Sequence, residues 1–148
     1  MESKKSSLAS STPNISPSAL GLTQFQGFWI PSRIAPISSI ISFQKYFQAV
    51  DEDIFVASKP KAGTTWLKTL SNTPLNSANP HQLISHFEIK FYKENPNPDL
   101  SKILSPRLFS THLLYLMLTD SIKRSNYQSI YITRNPFDIV ISSYNERL

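Results

Sequence analysis

The chain has 148 residues, 40% of them hydrophobic, with nine Phe and six Tyr. That is one domain's length with enough apolar surface for one core, which excludes a wholly disordered chain. Its net charge is +5 and it has no cysteine, so a disulfide scaffold, a thiol nucleophile and a thiolate-bound metal are excluded.

No run approaches the roughly 18 apolar residues that a membrane-spanning helix needs. The start, MESKKSSLASSTPNISPS, lacks the apolar core of a secretory signal. Residues 1–53 carry four basic and four acidic side chains, whereas 54–148 hold 11 of the 15 basic groups and 6 of the 10 acidic ones. A surplus confined to the later region favours anionic ligands without choosing among nucleotide, nucleic acid and sulfate-like groups.

The first twenty residues contain seven serines and two prolines, too little apolar area to offset the entropy of ordering. Residues 1–20 are therefore expected to be a flexible Ser-rich tail, and 21–148 the folded part. Folding should begin near Phe25, where FQGFWIPSR brings three aromatics together. From Ile37 to Gln48 the residues Ile37, Ile40, Ile41 and Phe47, widened by Phe43 and Tyr46, recur at helical spacing and predict a short amphipathic helix. Ile54–Ser58, IFVAS, is too brief for a helix and suits a buried strand. The loop KPKAG follows, and TTWLKTL begins a helix that SNTPLNSANP ends within about two turns.

HQLISHFEIKFY reads as a short helix leading into an extended piece, and ENPNPDLSKILSPR as loop. Leu108–His112 and Ser129–Arg134 read as two further short buried strands, with LLYLMLTDSIKRS between them as a crossover helix. Asn135 is a good N-cap and Pro136 suits the first helical position; Asp138 can complement the positive helix end. Phe137, Val140, Ile141 and Tyr144 would form that helix's buried face. Alternating strands and helices predict an α/β fold, a parallel sheet flanked by helices.

Three places could carry chemistry. KPKAGTTW joins a strand to a helix, where successive backbone N–H groups can converge on an anion with the positive helix end behind them. Gly63 supplies backbone freedom, Thr64 and Thr65 hydroxyl donors, and Lys61 a mobile cation. The pattern departs from GxxxxGK[ST], because the lysine precedes the glycine and the first glycine is missing. An ordinary strand-to-helix turn with an N-cap Thr explains these residues as well. Arg134, at the carboxyl end of a parallel strand, can grip a phosphate bidentately, with Ser142 eight residues on; alone it reads better as an arginine saturating nearby carbonyls. His112 ends a strand and could take a proton from an acceptor hydroxyl, although a single histidine is more often structural. His81 and His86 receive no role, since no metal-like cluster accompanies them.

Taken together, FQGFWIPS, ISFQKYFQAVDEDIFVASKPKAGTTWLKTL, NPHQLISHFEIKFY, PNPDLSKILSPRLFSTHLLY and SIYITRNPFDIVISS resemble, in the same order, the cytosolic sulfotransferase family, its plant branch most closely. KPKAGTTW is similar to the family's PKSGTTW loop for the 5′-phosphosulfate, STH to the strand bearing its catalytic histidine, and TRNPFDIVISS to the segment whose arginine and serine hold a 3′-phosphate. The resemblance implies a P-loop-like sulfotransferase fold, incomplete at the C-terminus. It also implies transfer of a sulfuryl group from 3′-phosphoadenosine 5′-phosphosulfate (PAPS) to a hydroxyl of a small organic acceptor in the cytoplasm, with no metal, nucleic acid or membrane required.

In that reading His112 is the base and Lys61 stabilises the leaving phosphate. Lys61, Ala62, Gly63, Thr64, Thr65 and Trp66 bind the donor, Trp66 near the adenine, and Arg134 and Ser142 select its 3′-phosphate. Ala62 stands where the family usually has serine, a lost donor worth about 0.5 to 1.5 kcal/mol of ligand binding. WLKTLSNTPLNSANPH is shorter than the family's segment, and STHLLYLML replaces its proline with leucines. Members of the family are also longer at the carboxyl end, which makes a catalytically silent, truncated fragment the alternative and leaves a family-type dimer not expected.

Overall fold

The computed structural model describes residues 21–71, 84 and 86–145. The expected tail, residues 1–20, lies outside them, as do 72–83. Leu22–Phe25 (β1) and Phe28–Pro31 (β2) pair antiparallel. Gln26 and Gly27 between them have φ of +50° and +83°, the two positive values that a tight two-residue hairpin requires. This hairpin is the form that FQGFWIPSR takes.

Ile37–Tyr46 (α1) starts behind Pro36 and buries Ser39, Ile40 and Phe43. The buried stripe is narrower than the sequence pattern implies, because Ile41 and Tyr46 are exposed. Phe47, just beyond the helix, continues the stripe into the core.

Ile54–Ser58 (β3) has the expected bounds and is the central strand of a three-stranded parallel sheet. Leu108–Thr111 (β4) pairs on one side and Gln128–Ile132 (β5) on the other, with Phe55 opposite both Phe109 and Ser129. Between β3 and β4 come Thr64–Ser71 (α2), a π-helical turn at Phe87–Phe91 and one helical turn at Tyr92–Glu94. The extended residue, His86, bridges Ser110 and precedes the helical turns, the reverse of the expected order.

No continuous crossover helix links β4 to β5. Tyr115–Met117 forms a 3₁₀ turn, Leu118 is extended, and only Asp120–Arg124 (α3) is α-helical. Thr119 causes the restart, its hydroxyl accepting the Ile122 N–H as an N-cap.

Phe87 stands at the centre of the core. Its ring lies 4.6 Å from Phe43, 4.6 Å from Phe47 and 4.7 Å from Phe109. The strands' amino ends are clamped by Asp53, fully buried, whose two carboxylate oxygens accept Arg107 Nε at 2.7 Å and Nη2 at 2.6 Å. A planar guanidinium matches a carboxylate in this two-pronged way. The same two residues join the strands through their backbones, Ile54 N–H donating to Arg107 O and Gln128 N–H to Asp53 O.

Pro136–Asn145 (α4) follows β5, and Asn135 caps it as expected, Oδ1 accepting the Phe137 N–H at 3.0 Å. Its expected buried face is corrected by the structure: Phe137, Val140, Ile141 and Tyr144 are all exposed. The expectation of a buried third strand fails too, since Ile130 and Tyr131 of β5 are exposed. The reason is positional. β5 is the edge strand of the sheet, and α4, which follows it, buries none of its described residues.

Core and edge should therefore respond differently to truncation. Phe87→Ala should lower unfolding free energy by about 3 to 5 kcal/mol, whereas Ile141→Ala should change it by no more than about 0.5 kcal/mol. Urea unfolding followed by circular dichroism checks both.

Candidate active site at the carboxyl edge of the sheet

Parallel pairing delivers three loops to one edge of the sheet. The segment after β3 begins KPKAG, the residue after β4 is His112, and Arg134 follows β5 by two residues. In open α/β sheets this is the edge at which ligands bind.

The loop turns sharply. Lys61 has φ of +64° and Gly63 of +110°, and the Ala62 N–H donates to Lys59 O at 3.2 Å. A Cβ on Gly63 would stand 3.1 Å from Ile132 Cδ1, so the backbone angle favours glycine and β5 leaves a side chain little room. This contact also brings the loop against the strand that leads to Arg134. Thr64 opens α2, and its buried hydroxyl bonds the Ser58 hydroxyl. Leu67 N–H donates to Gly63 O, so the helix is hydrogen-bonded from the loop itself. Ala62 is buried, while Thr65 and Trp66 face outward, Trp66 at 67% exposure.

Ser58 ties this loop to His112. The register that pairs Ala57 with Thr111 sets Ser58 beside His112, and His112 Nδ1 lies 2.8 Å from the Ser58 carbonyl oxygen. A carbonyl only accepts, so Nδ1 carries the proton and the neutral ring keeps its lone pair on Nε2. Burial holds the imidazole below its ordinary pKa, the Ser58 bond opposing that fall and the Lys68 charge adding to it. The base form is thereby favoured near neutral pH.

His112 borders two hollows. One, of 360 Å³, is nearly all apolar and is walled by Trp29, Ile30, Ile34, Ile89, Leu114 and Met117. The other, of 340 Å³, lies over the sheet and includes Ser58, Lys59, Tyr115, Tyr127 and Tyr131. His86, to which the sequence assigns no role, places its ring 4.4 Å from that of His112.

Arg134 and Ser142 come together as expected, Nη1 donating to Oγ at 3.0 Å, and Asp138 lies 3.7 Å from Arg134 Nε. All three are solvent-accessible. Asp138 thus serves the arginine as well as the helix start.

Sequence reasoning missed three members of this neighbourhood: Ser58, Glu88 and Lys68. Glu88 accepts the His112 backbone N–H at 2.7 Å and the Thr111 hydroxyl at 3.1 Å. Lys68 of α2, 1% exposed, donates to the Ile84 carbonyl at 2.7 Å. A lone acidic residue within LISHFEIKF and a lysine following Trp66 and Leu67 in TTWLKTL are the signals that could have found the latter two. Among the described residues no group of three or more His, Asp or Glu side chains could hold a metal ion.

The model of the sulfotransferase domain family matches residues 51–148. The chain belongs to the sulfotransferase family. Among curated relatives of this sulfotransferase chain, cytosolic sulfotransferase 15 of Arabidopsis thaliana is 42% identical, over 82% of this chain and 38% of that protein. Cytosolic sulfotransferase 8 of the same plant is 38% identical, over 95% of this chain and 46% of the relative. The crystal structure of an Arabidopsis thaliana putative steroid sulphotransferase superposes with a TM-score of 0.73 at 37% identity, covering 84% of this chain and 48% of that one. Mouse sulfotransferase SULT7A1 complexed with PAP gives 0.63 at 28% identity, covering 84% and 43%. The sulfotransferase chain thus spans under half the length of these relatives, and its three-stranded sheet with flanking helices is part of their α/β fold. Among the described residues no helix is long and apolar enough to cross a membrane.

Two tests follow from the site's construction. Gly63→Ala should lower stability by about 1 to 2 kcal/mol, since an L side chain is strained at this φ; thermal unfolding reads it. Burial pulls Lys68 from 10.5 down to about 8. Between those values the unfolded chain binds more protons than the folded one, so this group's contribution to stability rises with pH across that window. Chemical denaturation at both ends of the window should show a smaller rise in Lys68→Met than in the wild type.

Proposed function

We propose that this chain transfers a sulfuryl group from PAPS to a hydroxyl of a small organic acceptor, acting in the cytoplasm as its relatives' names suggest. The observation that carries the reading is the Nδ1–H bond from His112 to the Ser58 carbonyl. It leaves Nε2 as the base, on a ring that borders an apolar hollow. An aromatic or aliphatic acceptor suits such walls, its hydroxyl supplying the polar end.

In the reaction, Nε2 of His112 takes the acceptor's hydroxyl proton as the acceptor oxygen bonds sulfur. The bond between sulfur and the bridging oxygen of the 5′-phosphate breaks, and 3′-phosphoadenosine 5′-phosphate (PAP) leaves with the electron pair. Lys61 and the amides at the start of α2 are the groups suited to the charge that grows on the leaving phosphate. Positive φ at Lys61 and Gly63 supports this assignment, because such a turn lets neighbouring N–H groups converge. Thr64 and Thr65 are the first two residues of the same helix. The paired Arg134 and Ser142 fit a 3′-phosphate, offering a guanidinium fork and a hydroxyl 3.0 Å apart. The outward face of Trp66 is available to an adenine ring.

Calorimetric titration of the folded chain with PAP, alongside 5′-AMP, tests the donor site. Saturable binding that prefers PAP and weakens about tenfold or more in Arg134→Ala is expected, a loss of one charge-assisted contact. A folded chain that binds neither nucleotide overturns the proposal. With an acceptor in hand, His112→Ala should abolish turnover and leave PAP affinity within about threefold of wild type.

A further inference from the structure

Beneath His112 lies a carboxylate that the proposed chemistry does not use. Glu88 is 1% exposed, and it holds the end of β4 from both sides of one peptide. Oε1 accepts the N–H of His112 and Oε2 the hydroxyl of Thr111, while that hydroxyl accepts the Leu113 N–H at 3.0 Å. Residues 111–113 are thus gathered onto one side chain. An ionised carboxylate has only acceptors, and here both oxygens meet donors.

Two further observations show that this arrangement is costly to build. Glu88 sits in the π-helical turn, where Lys90 N–H and Phe91 N–H both reach the His86 carbonyl. Such turns are rare and concentrate at functional sites. The wider turn lets the adjacent residues Phe87 and Glu88 both be buried, the first in the aromatic core and the second at the end of β4. Lys68 is the second cost: a buried cation whose hydrogen bond goes to a neutral carbonyl and whose electrostatic partner is Glu88. A neutral side chain could satisfy one N–H more cheaply, since buried charges often stabilise less than apolar residues of the same volume. Burial raises the pKa of Glu88, and the bonds from His112 and Thr111 together with the Lys68 charge act against it.

We propose that Glu88 is a positioning residue for His112, its carboxylate fixing the main chain at the end of β4 so that the imidazole keeps its bond to Ser58 and presents Nε2 to the acceptor. Ser58 holds the ring and Glu88 holds the backbone that carries it. Lys68 compensates the carboxylate from α2, which also links the phosphate-facing helix to the base. The proposal rests on the reading of His112 as the base.

The experiment compares the full chain with Glu88→Gln by nitrogen-15 NMR of the histidine rings, with His112→Asn supplying the assignment. PAP affinity is measured on the same samples. In the wild type His112 should appear as the single Nδ1–H tautomer. In folded Glu88→Gln it should shift towards a mixture of tautomers while PAP affinity stays within about threefold. Once an acceptor is known, kcat should fall about tenfold to a hundredfold at an unchanged donor KM. A folded Glu88→Gln that keeps the wild-type tautomer overturns the proposal. If Glu88→Gln does not fold, Glu88→Asp, which keeps the charge and draws the carboxylate back from the His112 N–H, takes its place: a mixture of tautomers supports the role of Glu88, and the unchanged wild-type tautomer overturns it. Absence of PAP binding by the wild type would sink the donor reading instead, and the tautomer would still decide the role of Glu88.

Discussion

The pairing of β3 with both neighbours in parallel is the constraint from which the site follows. Each parallel strand must leave the sheet at the same edge, so the KPKAG loop, the histidine and the arginine segment emerge side by side although they lie far apart in sequence, from Lys59 to Arg134. Register then sets the details. With Ala57 opposite Thr111, Ser58 falls beside His112, and a backbone carbonyl that would otherwise continue the ladder accepts a ring nitrogen instead. With Ser58 opposite Ile132, the loop's glycine comes close against β5, where a Cβ would press on the Ile132 side chain. A slip of one residue would reverse every side chain across the sheet and dismantle both contacts.

That register is held from its opposite end. Asp53 and Arg107 pin β3 and β4 where the strands begin, and Asp53 also receives the first amide of β5. Beneath lies a cluster of aromatic rings around Phe87. Flat rings supplied by α1, β3, β4 and the π-helical turn fill one continuous layer, and each is worth about 1.5 to 3 kcal/mol of burial. Phe87 and Glu88 are neighbours in sequence, so the packing of one and the hydrogen bonds of the other are settled by the same turn. Core and site share a foundation here.

Much of this was legible in the residues and some was not, for identifiable reasons. Ile54–Ser58 announces itself because five residues between an acidic turn and a Pro-Gly loop leave room for nothing else. The Asn-Pro start of α4 is a local signal and holds locally. Burial of α4 and β5 could not be read that way, because an apolar face records what a segment can pack against, not whether a partner is present; Phe137 and Ile141 lie open. The crossover helix is interrupted before Thr119, a capping residue that ends an apolar run and starts a new helix. Lys61, Gly63, His112, Arg134 and Ser142 are all visible as types at spacings. Ser58 is not, since its role arises from strand register, and Glu88 shows only as a lone acid in an apolar stretch, its role arising from a π-turn that leaves no pattern of its own.

Lys61 carries a consequence of its own. A lysine at φ of +64° occupies the left-handed region at a cost of about 1 to 2 kcal/mol relative to an unstrained residue. Glycine would relieve that cost and remove the cation; asparagine would ease it and do the same. Selection for thermal robustness alone would therefore replace this residue, whereas selection for attraction of a polyanion would keep it. In this loop durability and positive charge pull in opposite directions, and stabilising this chain by substitution here would trade away the cation that the loop carries.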